Sequence, residues 1–341
     1  MADSVPSAVA VTVLTGFLGS GKTTLLNHLL KDPDLGKVAV LINEFGDVSI
    51  DHLLVEKIDE TTVLLESGCI CCSVRSDLVE AMRDLIAKRA DGRVPNFERL
   101  VIETTGLADP APIVHTLMSD PLISGQFRLD GLITTVDGVL GAASLDNHPE
   151  AIKQAAIADR ILITKCDLAD DLETLKLRLK DLNPAAVMIE CEHGNVAARE
   201  LIDAGLFDAN FIPHADRWLG DAEIKHQHAH HHDHAHDKAI RTFVLEAEGP
   251  IDFMAFQDWL ETLLATQGEN VLRMKGLLDV KDVDRPVAVH GVQHVFHPPA
   301  TLPSWQGIEK TSRMVFITRN LSEQAVRDTF AAHIPGQLVK R

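Results

Sequence analysis

The chain has no long apolar run, few cysteines and a deficit of basic residues. No stretch of eighteen apolar residues predicts a membrane-spanning helix. The N-terminal segment MADSVPSAVAVTVL has no basic stretch before its apolar run, so it does not resemble a signal peptide. The chain has 32 basic and 50 acidic residues, which gives a formal net charge of -18. Because nucleic acids and anionic membranes are polyanions, this charge disfavours both as partners. We therefore expect a cytoplasmic protein with neither kind of partner.

Three of the five cysteines lie together, at Cys69, Cys71 and Cys72. Cytoplasmic thiols stay reduced, so clustered cysteines there are more often metal-binding or catalytic than disulfide-bonded. Three thiolates supply three corners of a tetrahedral metal site and leave the fourth to water, a carboxylate or a partner protein. Buried packing residues and a redox pair remain alternatives, although the C-x-C-C spacing differs from the redox motif C-x-x-C. The isolated residues His115, Cys166 and Cys191 are interpreted as packing residues.

The length of 341 residues favours two domains, at about 150 residues for each domain. In the first 210 residues, short runs of valine, isoleucine and leucine alternate with helical stretches such as 22–32 and 76–90. This pattern predicts an α/β fold with a parallel sheet covered by helices on both faces. The predicted strands are 8–14, 37–42, 61–65, 99–104, 131–137, 160–165 and 185–190.

A histidine-rich segment interrupts this pattern at 226–237, and it predicts a flexible linker over 213–238. The linker separates a first domain, 1–212, from a smaller α+β domain, 239–341, which is predicted to contain a strand, a helix, three strands and a helix. One of the three strands is predicted over PVAVHGVQHVFH, residues 286–297. Neutral imidazoles suit zinc, nickel, cobalt or copper, so the linker is expected to hold weak metal sites, with a solvated tether as the alternative. Its seven histidines are His226, His228, His230, His231, His232, His234 and His236.

The segment GFLGSGKT, residues 16–23, fits the phosphate-binding pattern G-x-x-x-x-G-K-[ST] in full and lies between a predicted strand and a predicted helix. Glycines allow backbone N–H groups to face phosphate oxygens, and the helix N-terminus adds partial positive charge. Lys22 is expected to reach the β and γ phosphates, and the Thr23 hydroxyl to bind Mg²⁺. The fold class is therefore predicted to be that of a P-loop NTPase.

Two further motifs follow predicted strands. In TKCD, Asp167 can accept hydrogen bonds from the N1–H and N2 amino groups of guanine, and Lys165 can lie over the base with its aliphatic stem. In ETTG, Glu103 can hold Mg²⁺ through water, and Gly106 allows a close approach to the γ-phosphate. Ligands of open parallel sheets gather at the carboxyl ends of strands. We expect the cysteine loop and the ETTG loop to leave neighbouring positions of that edge.

The motifs GFLGSGKTTLLNHLL, INEFGDVSID, ESGCICCSVRSDL, ETTGLADP and TKCD, in this order, resemble those of the CobW-like GTPase family. That family is related to the nickel-inserting maturation GTPases of urease and hydrogenase. The resemblance extends to the C-terminal segments RMKGLLDV and VAVHGVQHVF. It implies GTP hydrolysis coupled to the handling of Zn²⁺ or Co²⁺, with GTP and Mg²⁺ as cofactors and a client apo-metalloprotein as partner. A second copy of the chain is a further candidate partner.

The resemblance also implies roles for individual residues. Lys22, Thr23 and Glu103 would be catalytic, and the cysteine cluster would bind the transferred metal. Glu44 would be a switch acid near a metal, with a solvated turn residue as the alternative. The implied nucleotide contacts are Gly16, Gly19, Ser20, Gly21, Lys22, Thr23, Thr24, Cys72, Ser73, Val74, Arg75, Ser76, Gly106, Thr164, Lys165, Cys166 and Asp167.

Thr164 departs from the Asn found in many GTPases, which predicts looser selectivity against ATP. The expected function is a GTP-hydrolysing metallochaperone. A metal-buffering or metal-sensing protein with a regulatory nucleotide site is the alternative. A nucleotide kinase is disfavoured by the cysteine cluster and by the absence of an obvious lid segment.

Overall fold

The structure is a computed structural model that describes residues 8–43, 63–66, 74–202, 240–305 and 309–339. The chain forms two compact units. The first comprises the ranges 1–141, 158–172 and 188–205, and the second comprises 142–157, 173–187 and 206–341. The domain boundaries predicted at 212 and 238 lie outside the described residues. Within the described ranges, no helix is both long and apolar enough to cross a membrane.

The first unit contains a seven-stranded sheet in the order β3-β2-β4-β1-β5-β6-β7. The β2–β3, β2–β4, β1–β4, β1–β5 and β5–β6 pairs are all parallel. Strands β1, β4 and β6 are buried at every position, which explains their nearly continuous apolar sequences. The predicted parallel sheet is therefore confirmed. Its strands are β1 (Val9–Gly16), β2 (Val38–Asn43), β3 (Val63–Glu66), β4 (Arg99–Thr104), β5 (Phe127–Asp137), β6 (Arg160–Thr164) and β7 (Val187–Cys191).

Helices of the first unit connect these strands. They are α1 (Lys22–Leu29), α2 (Val74–Ala90), α3 (Ala111–Ser119) and α4 (Pro121–Ser124). Helix α1 begins directly after the glycine-rich loop, and its Leu25 and Leu26 are fully buried against Leu14 of β1 and Leu162 of β6. This packing fixes the start of α1, and with it the glycine-rich loop, at the carboxyl edge of the sheet.

A buried ion pair joins β4 to β5. The guanidinium of Arg99 donates to Oδ2 of Asp130, and the Thr12 hydroxyl donates to the same oxygen at 3.3 Å. The β1–β5 register shifts here, because Val11 pairs with Leu129 whereas Thr12 pairs with Gly131, so Asp130 is the extra residue of a bulge. The side chain of Asp130 is only 2% exposed. The pair therefore links three adjacent strands near their amino ends.

The second unit contains an antiparallel sheet in the order β11-β10-β9-β13-β8, with β12 paired to β10. Trp259 is fully buried between this sheet and the helices, with its ring 4.8 Å from that of Phe330 and 6.2 Å from that of Phe316. The elements of this unit are α5 (Gly141–Asn147), α6 (Pro149–Ile157), α7 (Leu172–Leu182), β8 (Ile240–Ala247), α8 (Phe253–Gln267), β9 (Val271–Leu278), β10 (Val287–Val292), β11 (Val295–Phe296), β12 (Ala300–Thr301), β13 (Ser312–Arg319) and α9 (Glu323–His333).

The prediction of a single strand over 286–297 was wrong. The segment 286–297 is a hairpin, because Val292 pairs with Val295 and the chain turns at Gln293, whose φ is 52°. The two residues of the turn, Gln293 and His294, are neither glycine nor proline, which is why the sequence predicted one strand. Strand β12 was not predicted either.

Helices α6 and α7 contribute to the second unit through their carboxyl ends. Arg273 of β9, only 3% exposed, donates to the carbonyl of Ile157, the last residue of α6. Thr242 of β8 donates to the carbonyl of Leu182, the last residue of α7, at 2.9 Å. These side chains satisfy carbonyls that have no partner within their own helices. The sequence did not predict this arrangement.

Candidate nucleotide-binding site

The glycine-rich loop from Gly16 to Thr23 depends on backbone conformations that favour glycine. Gly16, Gly19 and Gly21 have φ angles of 145°, 73° and 92°. A Cβ at Gly16 would lie 2.7 Å from Ser20 Oγ and closer still to Thr135. Since an L side chain is strained at these angles, the loop conformation follows from the placement of its glycines. The predicted strand, loop and helix are all present.

Lys22 and Thr23 open helix α1. The ammonium of Lys22, which is 8% exposed as a residue, donates to the carbonyls of Gly16 at 2.9 Å and Phe17 at 3.2 Å. The Thr23 hydroxyl donates to Oε1 of Glu103 at 2.8 Å. A hydroxyl beside a carboxylate is a set of hard oxygen donors, which is the chemistry that Mg²⁺ requires. The residues present therefore fit this ion.

Hydroxyl groups from two strands, β5 and β6, contact the phosphate loop at Ser20. Ser20 Oγ lies 2.7 Å from Thr135 Oγ1, and Thr164 donates to the carbonyl of Ser20 at 2.8 Å. Thr135 belongs to β5 and is 1% exposed. The sequence motifs do not include this residue. The available signal was a pair of threonines in the buried strand segment GLITTVD.

The ETTG loop touches the phosphate loop directly. Thr104 donates to the hydroxyl of Thr15 at 2.8 Å. A Cβ at Gly106 would lie 2.6 Å from the backbone nitrogen of Leu18 and 2.7 Å from its Cα. The absence of a side chain at Gly106 therefore allows the two loops to pack backbone against backbone.

The TKCD loop follows β6 at the same edge. Lys165 has a φ of 55°, and its ammonium donates to the Gly19 carbonyl at 2.9 Å and to Oδ2 of Asp137 at 2.5 Å. The Asp167 side chain is 26% exposed, and its Oδ2 lies 3.6 Å from Nε2 of His193. Asp137 and His193 both lie outside the sequence motifs and were not predicted. A polar residue at the end of a buried strand was the only signal for Asp137.

The loop after β7 approaches helix α1. A Cβ at Gly194 would lie 3.0 Å from the Thr24 carbonyl, and Gly194 has a φ of 79°. Asp32 accepts a hydrogen bond at 2.7 Å from the backbone N–H of Ala198. That hydrogen bond is the main cause that lowers the pKa of Asp32 below its ordinary value. The loop therefore lies beside the first turn of α1 at Gly194 and beside the segment that follows α1 at Ala198.

The three isolated residues interpreted as packing residues and not as metal ligands are placed as follows. Cys191 is 1% exposed and lies in the apolar core of the first unit, where burial raises the pKa of its thiol. Cys166 donates from Sγ to the carbonyl of Ile163 at 3.0 Å. His115 Nδ1 lies 2.9 Å from the hydroxyl of Ser119, one helical turn away.

The residues predicted to bind the transferred metal or to form a second or weak metal site lie outside the described residues. These are Cys69, Cys71, Cys72, Glu44 and the seven linker histidines, and the predicted nucleotide contact Ser73 lies outside as well. Val74, Arg75 and Ser76 form the start of helix α2. Among the residues that the structure describes, no group of three or more histidine, cysteine or acidic residues could hold a metal ion.

One prediction about the cysteine loop was wrong in detail. This loop follows β3, an edge strand, and β2 lies between β3 and β4. The cysteine loop and the ETTG loop therefore leave the same edge of the sheet but not neighbouring strands.

The sheet, the phosphate loop and the neighbouring strand ends define a P-loop NTPase. The CobW/HypB/UreG nucleotide-binding domain matches residues 10–190, and the cobalamin synthesis protein cobW C-terminal domain matches residues 240–334. The chain belongs to the CobW/HypB/UreG family, and its enzymatic class is that of a P-loop GTPase.

Relatives of known name match the chain over nearly its whole length. The zinc chaperone YjiA of Escherichia coli (strain K12) is 36% identical over 324 residues, which are 95% of this chain and 98% of YjiA. The zinc chaperone CobW of a Sinorhizobium species is 29% identical over 356 residues, covering 95% of this chain and 97% of that protein. The crystal structure of Zn(II)-bound YjiA GTPase from E. coli has a TM-score of 0.72 at 32% identity, with coverage of 95% and 98%.

Proposed function

We propose that the chain is a GTP-dependent metallochaperone that binds Zn²⁺ through Cys69, Cys71 and Cys72 and delivers it to a client apo-metalloprotein. The observation that carries the proposal is the 36% identity, over 95% of the chain, to a protein named a zinc chaperone. The cysteine motif supports it, because thiolates are preferred zinc ligands. An open site with three protein ligands suits a metal that must leave again. Co²⁺ is the second candidate cargo.

The nucleotide is held and cleaved by the phosphate loop in this proposal. Lys22 places its charge at the β and γ phosphates, where it stabilises the charge that develops during phosphoryl transfer. Thr23 and Glu103 hold Mg²⁺, which neutralises phosphate charge when it is bound. In the structure, the Lys22 ammonium is held by loop carbonyls, which keeps it within reach of the phosphates.

The TKCD loop after β6 recognises guanine in this proposal. Asp167 accepts hydrogen bonds from the N1–H and N2 amino groups of the base, a donor pair that adenine does not present. The stem of Lys165 covers one face of the base. The position of this loop supports the assignment, because the Lys165 ammonium contacts the phosphate loop at Gly19.

Coupling between metal and nucleotide follows from the connection between β3 and α2. The cysteine cluster lies in this connection, which leaves the edge of the sheet where the phosphate loop also lies. The segment from Cys72 to Ser76 is proposed to contact nucleotide as well as to contain a metal ligand. One short segment would then sense both ligands, so that hydrolysis of GTP changes the metal site.

The proposal is tested by zinc titration against a chromophoric chelator, followed by release of zinc during GTP turnover. Three cysteine-to-serine substitutions, at Cys69, Cys71 and Cys72, should remove the tightest site. Deletion of 226–237 should leave it intact, because a flexible chain loses conformational entropy when it wraps an ion. The Lys22→Ala variant should bind zinc but should not release it when GTP is added. Loss of the tightest site in the linker deletion would contradict the proposal.

A metal-buffering protein with a regulatory nucleotide site is the second candidate, and the acidic, histidine-rich composition favours it. The release experiment separates the two. A buffer should release zinc at a rate that does not depend on GTP hydrolysis, so GTP and a non-hydrolysable GTP analogue should have the same effect. A metallochaperone should release it faster during turnover.

A further inference from the structure

Asp137, the last residue of β5, connects two loops of the nucleotide site. Its side chain is 7% exposed. Its Oδ1 atom accepts hydrogen bonds from the backbone N–H groups of Val139 at 2.8 Å and Leu140 at 3.0 Å. Its Oδ2 atom accepts from the Lys165 ammonium at 2.5 Å. One oxygen therefore fixes the turn after β5, and the other holds the lysine of the TKCD loop.

Lys165 is fixed at two further points. Its ammonium also donates to the Gly19 carbonyl of the phosphate loop at 2.9 Å. The backbone beside it is held by Gly138, whose N–H donates to the Thr164 carbonyl at 2.7 Å. A Cβ at Gly138 would lie 2.8 Å from that same carbonyl oxygen, so the ends of β5 and β6 are in close contact. Asp137 thus acts on a lysine whose position is already narrowly defined.

The Asp137 carboxylate remains charged under ordinary conditions. Burial works against its charge, but the hydrogen bond from Lys165 and those from Leu140 and Val139 outweigh burial and hold the pKa of Asp137 below its ordinary value. The ion pair with Lys165 therefore persists at neutral and mildly acidic pH.

We propose that Asp137 is a positioning residue for base recognition, which holds Lys165 extended between the phosphate loop and the base. This inference rests on the proposed role of Lys165 in covering guanine. A lysine side chain is flexible, and the contacts of its ammonium with Asp137 and Gly19 restrict its conformation before nucleotide binds, so that binding costs less conformational entropy. The aliphatic stem then offers a preformed surface to the base. Because the same ammonium contacts Gly19, Asp137 also links base recognition to the phosphate loop.

The proposed role of Asp137 predicts a specific pattern of nucleotide selectivity. Lys165 contacts a face of the base and not its edge, so Asp137 should affect guanosine and inosine nucleotides by the same factor. Asp167 reads the N2 amino group, which inosine lacks, so the preference for GTP over ITP should not depend on Asp137. GDP and a GTP analogue should be affected alike, since the contact lies away from the γ-phosphate.

The test compares Asp137→Asn and Lys165→Met, alone and combined, by fluorescence titration with GDP, a GTP analogue and the inosine equivalents. Asparagine retains an oxygen for the N–H groups of Val139 and Leu140, so the variant should fold as the wild type does. We expect Asp137→Asn to weaken binding of all four nucleotides about tenfold, a change of about 1.4 kcal/mol. The double variant should bind no more weakly than Lys165→Met alone. Asp84→Asn, which breaks the exposed pair with Lys88, is the matched control and should bind as the wild type does.

Three results would overturn the inference: wild-type affinity in Asp137→Asn, additive losses in the double variant, or a changed preference for GTP over ITP. Additive losses would mean that Asp137 acts through the turn and not through Lys165. Thermal denaturation is measured for each variant as well. If a loss of folded protein explains the weaker binding of Asp137→Asn, the inference also fails. If Lys165→Met itself binds as tightly as the wild type, the proposed base site fails. If Lys165→Met binds weakly and Asp137→Asn does not, only the inference fails.

Discussion

The Thr23 hydroxyl donates a hydrogen bond to Oε1 of Glu103 across 2.8 Å, which joins the start of helix α1 to the end of β4. Glu103 is 2% exposed, so its carboxylate is held inside the site and not in bulk water. The two side chains come from separate motifs of the sequence and meet at one point beside the phosphate loop. The proposed Mg²⁺ site lies at this contact between Thr23 and Glu103.

The substitution Glu103→Gln should raise the Mg²⁺ concentration needed for half-maximal GTP hydrolysis by about 10-fold or more, since residues that hold a metal through water commonly contribute this much to affinity. Glutamine retains an oxygen for Thr23 but loses the negative charge. Steady-state hydrolysis measured across a Mg²⁺ titration gives the result. Glu98→Gln, on an exposed glutamate, serves as the control. An unchanged Mg²⁺ requirement in Glu103→Gln would contradict the assignment.

The substitution Lys22→Ala should reduce the rate of GTP hydrolysis by about 100-fold or more, because a positioned charge at the transferred phosphoryl group contributes several kcal/mol. The protein should remain folded, because the Lys22 ammonium donates to the carbonyls of Gly16 and Phe17, which belong to the phosphate loop itself. Phosphate release and thermal denaturation are measured on the same samples. Lys37→Ala, on an exposed lysine, should retain wild-type turnover. Wild-type turnover in folded Lys22→Ala would exclude the assigned phosphate site.

The substitution Gly106→Ala should weaken GTP binding by about 10-fold to 100-fold, because displacements of about 1 Å in a site have effects of this size. The added Cβ would lie 2.6 Å from the Leu18 backbone nitrogen. Because this atom belongs to the backbone of the phosphate loop, the overlap can be relieved only if the loop itself moves. Gly125→Ala, where the nearest atom is 3.3 Å away, is the control. Titration with a fluorescent GTP analogue provides the measurement. Equal affinities in both alanine variants would show that the two loops do not depend on this contact.

The substitution Asp130→Ala should lower the free energy of unfolding by about 3 kcal/mol, because it leaves the Arg99 guanidinium buried without its carboxylate. The matched control is Asp91→Ala, which breaks an exposed pair with Arg93 and should cost at most about 1 kcal/mol. Urea denaturation followed by fluorescence and circular dichroism compares the two variants. If both variants lose the same small amount, the buried pair does not stabilise the sheet as the packing indicates.

The sequence predicted most of the fold because the strands of a covered parallel sheet are continuous apolar runs. The phosphate loop was predictable for a related reason: Gly16, Lys22 and Thr23 belong to one short segment whose geometry depends on its own glycines. The ETTG and TKCD loops could be placed at the same edge because each follows a strand.

The contacts between distant segments could not be predicted in this way. Asp137 meets Lys165 across 28 positions of the chain, and Thr135 meets Ser20 across 115. Such pairs depend on the order and register of strands, which the apolar pattern does not specify. The hairpin at Gln293 was missed because its turn has no glycine or proline. The order β3-β2-β4, in which β3 and β4 are not neighbours, was likewise not specified by the apolar pattern.

The most direct test of the account measures whether nucleotide state changes zinc affinity. A competition titration with a chromophoric chelator is performed on the wild type and on Cys71→Ser, each with a GTP analogue and Mg²⁺ or with GDP. We expect the wild type to bind zinc about 5-fold to 150-fold more tightly with the GTP analogue, and zinc to tighten binding of the analogue by the same factor. The difference should diminish toward acidic pH, because thiolate ligation releases protons, and it should be lost in Cys71→Ser. Equal zinc affinity of the wild type in both nucleotide states would contradict a GTP-controlled metallochaperone.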